Sequence, residues 1–178
     1  MIAALWLLVA QGLFGAFDTL HYHEWRARLP AGGAQTRPEL LLHATRDMVY
    51  ALLFGLLPRY RGQGAWAGLL VMLVACEIVI TLVDFRIEDK VRAPLGGTFP
   101  GERTTHTIMA IIYGGFLGSW APGLVLDWRA PTGWTAVDAP PVLVAVMTLM
   151  SAGVFASGLR DFYAAFGGDG GSWPWRRA

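Results

Sequence analysis

The chain has 178 residues, of which 54% are hydrophobic and only 15% charged, and its formal net charge is +1. Water-soluble domains carry charge on about a quarter of their residues, so this composition argues against an ordinary soluble protein. The scattered basic residues argue against a nucleic-acid-binding surface. The single cysteine, Cys76, excludes an internal disulfide and a CxxC metal or redox site.

Five apolar segments approach the roughly 20 residues that a membrane-spanning helix needs. In chain order they cover residues 2–20, 40–57, 65–83, 106–126 and 142–159. Prolines lie in the connections, as expected of residues that break helices. The sequence therefore predicts an all-α integral membrane bundle of about five transmembrane helices, in a single domain over residues 1–166.

The two ends of the chain carry separate expectations. No basic residue precedes the first apolar segment, which predicts a retained helix and not a cleaved signal peptide. Residues 167–178 are rich in glycine and contain Trp173 and Trp175, which is typical of a flexible or interface-bound tail.

Basic residues predict an orientation for the bundle. With five spans, eleven of the fourteen lysines and arginines lie on the side that holds the connections after the first and third spans and the C-terminus. The positive-inside rule assigns that side to the cytoplasm. We therefore expect a protein of the bacterial inner membrane type, with its N-terminus outside and its C-terminus in the cytoplasm.

Polar residues of metal-binding type collect where the first four spans reach this cytoplasmic side. Imidazole and carboxylate groups are the ligands of iron, manganese and zinc. Topology alone predicts that the four clusters meet in one four-helix mouth. The candidate metal ligands are Asp18, His21, His23, Glu24, His43, Asp47, Glu77, Asp84, Glu88, Glu102 and His106.

Spacing along the helices supports this convergence. His43 and Asp47 are four residues apart, as are Glu102 and His106, and residues at this spacing share a helical face. Asp18 and His21 are three apart, whereas His23 would point elsewhere unless the chain bends. The sequence leaves open whether His21 or His23 is the ligand.

Glu77 is the deepest of these residues, because it lies inside the apolar run of the third span. A carboxylate at such depth costs on the order of 3 kcal/mol unless it is paired, protonated or metal-bound. Glu77 and Asp84 are therefore the candidate catalytic carboxylates. Arg46 and Arg103, with Arg160 as an alternative, are candidates to hold an anionic headgroup.

Four helices that contribute Glu77, Asp84, the pair His43/Asp47 and the pair Glu102/His106 resemble the sites of membrane-bound di-iron oxidases and hydroxylases. The resemblance is confined to these motifs, and the chain lacks the HxxxH and HxxHH boxes of membrane desaturases. It implies two transition-metal ions, iron in preference to zinc or manganese, that activate dioxygen.

The prediction is thus a metal-dependent membrane oxidoreductase. Its expected partners are membrane lipid, a hydrophobic small-molecule substrate and an electron donor. Three alternatives stay open: a membrane zinc hydrolase, a haem electron-transfer protein with two axial histidines, and an ion or proton transporter that uses Glu77. Glycines in the fourth span, Gly114, Gly115 and Gly118, predict either close helix packing or a groove for an acyl chain.

Overall fold

The structure, a computed structural model, describes residues 1–168. The prediction for the tail after Gly168 lies outside the described residues. Five α-helices dominate this part of the chain, and their bounds are α1, Ile2–Asp18; α2, Arg37–Leu56; α3, Ala65–Arg92; α4, Pro100–Arg129; and α5, Pro141–Ala165. The predicted bundle of helices is therefore present.

The helices are longer than the predicted spans, and the largest extensions lie at the same end of the bundle. α3 continues to Arg92, α4 begins at Pro100, and a π-helical segment, Thr19–Arg26, extends α1. The predicted spans exclude these stretches because their charged residues are typical of connections outside the apolar spans. They stay helical because their side chains pair with one another, as described below.

Four of the helices are long and apolar enough to cross a membrane: the first together with its π-helical extension, α3, α4 and α5. Between 17% and 28% of the most apolar stretch of each is buried inside the protein. Apolar side chains such as Ile111, Leu126 and Leu149 are 69–74% exposed, which suits a surface in contact with lipid. α2 differs, because polar residues occupy its first half and its other half is largely covered by neighbouring helices.

The helices form two sub-bundles. α1 packs mainly on α4, whereas α2 packs mainly on α5 and then on α3. The closest approach of α2 to α5 is at Gly158, where an added Cβ would lie 2.4 Å from the Met48 side chain. The prediction that Gly114 and Gly118 are packing positions is wrong, because a Cβ at either would meet no atom within 4 Å.

A short antiparallel ribbon closes the end of the bundle opposite to the polar one. Strands β1, Tyr60–Gln63, and β2, Gly133–Ala136, pair with Tyr60 opposite Ala136. The sequence analysis predicted loops at both places. Arg61 binds Asp127 through two hydrogen bonds of 2.8 and 3.1 Å and fixes β1 to the end of α4.

Candidate metal centre

The π-helical segment decides which histidine of the first helix faces the interior. In a π-helix each carbonyl accepts from the amide five residues ahead, so residues five apart lie one above the other. Asp18 and His23 have this spacing, and Asp18 Oδ2 lies 3.1 Å from His23 Nε2. His23 is 4% exposed. His21 instead stacks on Phe17 and contacts Trp25 edge-on.

A first group of ligand-type atoms forms around this pair. Asp18, His23, Glu102 and His106 each offer one atom, and these atoms lie within 4.8 Å of one another. His23 Nε2 is 3.2 Å from Glu102 Oε1, and His106 Nε2 is 3.2 Å from Asp18 Oδ2. The α1 extension and the first turns of α4 thus bring four predicted ligands together.

A second group shares His23 with the first. It consists of His23, Glu39 and His43, again within 4.8 Å. The rings of His23 and His43 stack with their centroids 4.5 Å apart. His43 Nε2 also lies 3.0 Å from Asp84 Oδ2, so α3 reaches this group as well.

Arg92 links the two groups. Its guanidinium donates to Glu39 of α2 and to Glu102 of α4, and no part of its side chain is exposed. Phe99 at the start of α4 donates its backbone N–H to Glu102 Oε2 at 3.3 Å. Three helices therefore meet on one buried cation.

Negative charge is in excess throughout this polar end. Eight carboxylates at this end of the protein are buried, one of them in the deep part of α3. Three arginines donate hydrogen bonds to members of this set. Uncompensated buried charge is costly, so protons or additional cations must balance the remainder. The eight are Asp18, Glu24, Glu39, Glu77, Asp84, Glu88, Glu102 and Asp161.

The donor atoms fit a transition-metal ion in spacing and in type. Ligands bound at 2.0–2.1 Å lie about 3.0–3.4 Å from their neighbours around an ion, which matches the 3.1–3.2 Å separations in the first group. Within residues 1–168, Asp18 Oδ1, Glu39 Oε2 and Asp84 Oδ1 are buried without a hydrogen-bond partner. Buried polar atoms are rarely left unsatisfied, so these atoms point to a ligand.

A cavity of about 880 Å³ opens beside the first group. Asp18 and His106 line its polar end, together with Arg46 and Arg160. Most of its remaining wall is apolar and comes from α1, α3, α4 and α5, with Leu117 and Val154 as examples. Gly114 lines it too.

No known family model, curated protein or solved structure matches the chain. The chemistry of the site is therefore argued from its own residues.

Several predicted residues lie outside the two groups. Glu24 is held by Arg160 through both carboxylate oxygens, and Arg46 donates to Asp84 at 3.3 Å. Asp47 lines the cavity. Arg103 pairs with Asp89 on the surface, where its side chain is 58% exposed, and it does not line the cavity.

Glu88 and Glu77 extend the site in opposite directions. Glu88 Oε2 lies 3.8 Å from His106 Nδ1, on the outer side of the first group. Glu77 lies deeper, where Tyr50 and Thr81 donate to its Oε1 at 3.2 and 2.9 Å. The structure therefore places Glu77 in a separate polar layer and not among the ligand groups.

Sequence reasoning missed Glu39 and Arg92. Arg92 entered only the count of basic residues that predicts the orientation, and Glu39 was not considered. A usable signal existed for Glu39, since it precedes His43 by four residues and so shares its helical face. For Arg92 the sequence gives no comparable signal, because its partners are 53 and 10 residues away.

Proposed function

We propose that the protein is a metal-dependent integral membrane oxidoreductase, with two iron ions, that acts on a lipid-like substrate at the cytoplasmic face. The observation that carries the proposal is the buried group of Asp18, His23, Glu102 and His106 at the polar end of an apolar cavity. Two histidines and two carboxylates form a ligand set that suits iron, manganese or zinc.

Each residue of the ligand groups has a role in this proposal. Asp18, His23, Glu102 and His106 would hold one ion, and Glu39, His43 and Asp84 would hold the second. Bound iron would supply redox chemistry with dioxygen, for which an electron donor is required. Arg92 would fix the orientation of Glu39 and Glu102, as partners of metal ligands commonly do.

The cavity supports a lipid-like substrate. A chain held between Leu117 and Val154 would place its polar end beside Asp18 and His106, at the mouth. Arg46 and Arg160 line the same end, where guanidinium groups suit an anionic or strongly polar headgroup. The apolar wall would exclude water from the reacting end of the substrate.

The arrangement in the membrane follows from the fold and the charges. In our proposal all five helices cross the bilayer, with α2 shielded by its neighbours and the ligand groups near the cytoplasmic surface. The N-terminus is then outside, as the positive-inside rule expects.

Elemental analysis tests the proposal. After anaerobic reconstitution with ferrous iron, we expect two equivalents of iron per chain in the wild type. His23→Gln should lower this number because His23 would be a ligand of the first ion. His21→Gln is the matched control, and should keep the wild-type content because His21 stacks among aromatic rings outside the groups.

Other outcomes of the same measurement are informative. Less than one equivalent of any transition metal in the wild type would refute the proposal and favour a metal-free polar network. Stoichiometric zinc that resists replacement by iron would favour a hydrolase, in which zinc activates water.

A second candidate, an ion or proton transporter, is favoured by the depth of Glu77 and by its buried Oε2, which has no partner within residues 1–168. Loss of ion flux in Glu77→Gln with unchanged metal content would support it. A haem protein is disfavoured, since direct stacking of His23 on His43 leaves no room for a macrocycle between them.

A further inference from the structure

Four helices each carry a second polar residue seven positions from a residue of the metal centre. The pairs are Gln11 and Asp18 on α1, Tyr50 and His43 on α2, Glu77 and Asp84 on α3, and Tyr113 and His106 on α4. Seven residues are about two helical turns, so each pair shares a face with a separation of about 10 Å. A second set of polar residues therefore lies about two helical turns deeper than the metal centre. We call it the deep polar layer, and it consists of Gln11, Tyr50, Glu77 and Tyr113.

Hydrogen bonds connect members of the deep polar layer, but some of its buried polar atoms have no hydrogen-bond partner among residues 1–168. Gln11 donates to the Tyr50 hydroxyl at 3.5 Å, and that hydroxyl donates to Glu77 Oε1 at 3.2 Å. Gln11 Oε1 and Glu77 Oε2 are nevertheless buried without a donor from residues 1–168. The Tyr113 hydroxyl lies near Glu77 and is also buried without a hydrogen bond of standard geometry to residues 1–168.

These groups are buried and line the cavity. Glu77 is 3% exposed, and Tyr50 and Tyr113 are each 9% exposed. All four members of the layer line the same cavity as Asp18 and His106. An unsatisfied buried acceptor costs about 1–3 kcal/mol, and a donor on a ligand in the cavity would remove that cost.

We infer that the deep polar layer is a binding site for a hydroxyl group carried on the apolar part of the ligand. A hydroxyl both donates and accepts, so it can donate to Glu77 Oε2 or Gln11 Oε1 and accept from Tyr113. The ligand is then a lipid-like molecule with two polar groups, one at the mouth and one about 10 Å deeper along its chain or ring system. The inference rests on the proposed function only in taking this cavity as the substrate site.

Binding measurements on the metal-stripped protein test this without involving metal chemistry. The probes are radiolabelled octanediol, with a hydroxyl at each end of a chain close to that spacing in length, and octanol, with only one. We expect octanediol to bind about tenfold more tightly by equilibrium dialysis, because one hydrogen bond to a charged acceptor is worth about 1.5–3 kcal/mol and 1.4 kcal/mol is tenfold.

Variants test whether the preference for octanediol arises from the deep polar layer. Glu77→Leu should abolish the preference for octanediol and leave octanol binding within twofold of the wild type. Gln11→Leu should reduce the same preference, and it keeps the test decisive if Glu77→Leu does not fold. Met150→Leu is the control, since it changes an apolar side chain that lines the cavity and should retain the full preference.

Two results would overturn the inference: equal affinity of the wild-type protein for both probes, or a full octanediol preference in both Glu77→Leu and Gln11→Leu. Failure of the proposed function is distinguishable from these, because it would appear as missing metal in elemental analysis while the binding preference persists.

Discussion

Arg92 lies in the interior with no exposed side-chain surface, and it holds Glu39 and Glu102 from two other helices. Removal of one partner from a buried ion pair leaves an uncompensated charge. The guanidinium also offers several donors in one plane, so a single side chain can bind two carboxylates at once. At this residue the stability of the fold and the geometry of the metal centre depend on the same hydrogen bonds.

Replacement of Arg92 by methionine is therefore expected to be severe. We predict a loss of about 3–5 kcal/mol in the free energy of unfolding, measured by chemical denaturation in detergent. Arg103→Met is the matched control and should cost no more than about 1 kcal/mol, because its pair with Asp89 is exposed. Similar losses for the two variants would contradict the role assigned to Arg92.

Some residues of the candidate site could be predicted from the sequence, and others could not. Glu102 and His106 were predictable because helical spacing of four defines a face. His43 was predicted together with Asp47, but its partner at that spacing in the ligand group is Glu39. Glu77 was conspicuous because it is charged inside an apolar run. The deep polar layer was not recognised, since Gln11, Tyr50 and Tyr113 are uncharged and ordinary in membrane helices, and only the shared spacing of seven connects them.

At the scale of elements, the π-helical segment is the feature that brings His23 into the candidate metal centre. Within Thr19–Arg26 the helix accommodates one additional residue per turn and turns His23 inward. Regular α-helical continuation would have favoured His21. No spacing rule for a uniform helix could choose between these two histidines, because the choice depends on where the backbone changes its hydrogen-bonding pattern.

Deletion of Leu20 should restore α-helical hydrogen bonding through this segment. The residues after the deletion would rotate by about 100° relative to Asp18, given 3.6 residues per turn. We expect loss of bound metal by elemental analysis with helix content by circular dichroism unchanged. Deletion of exposed Ala34 from the connection before α2 is the control. Undiminished metal content after the Leu20 deletion would show that the π-helical geometry is dispensable.

At the scale of the whole molecule, the number and order of the helices were predictable from apolar length alone. Their ends were not, because α3 and α4 continue as helices through residues whose charges are neutralised by distant partners. The ribbon of β1 and β2 was also missed, since each strand has four residues and its partner is about 70 residues away. The local hydrophobic pattern determines where the spans lie. Hydrogen bonds and ion pairs between residues that are distant in the sequence determine where the helices end.

If all five helices cross the bilayer, as we propose, the second helix has a consequence for the order in which they enter the membrane. α2 is not apolar enough to be counted with the four spans, and its most extensive contacts are with α5, the last helix to be synthesised. Insertion of polar side chains into lipid is costly for an isolated helix. Four helices can therefore insert as they are made, but the second must wait for the fifth.

A truncated chain tests this order. In a Cys76→Ser background, a Leu52→Cys thiol in α2 should react with a water-soluble maleimide when the chain ends at Pro140. It should be protected in the full-length chain. Equal protection in both would mean that α2 inserts unaided. If the order holds, the candidate ligands from α2 reach their positions only after α5 has been synthesised.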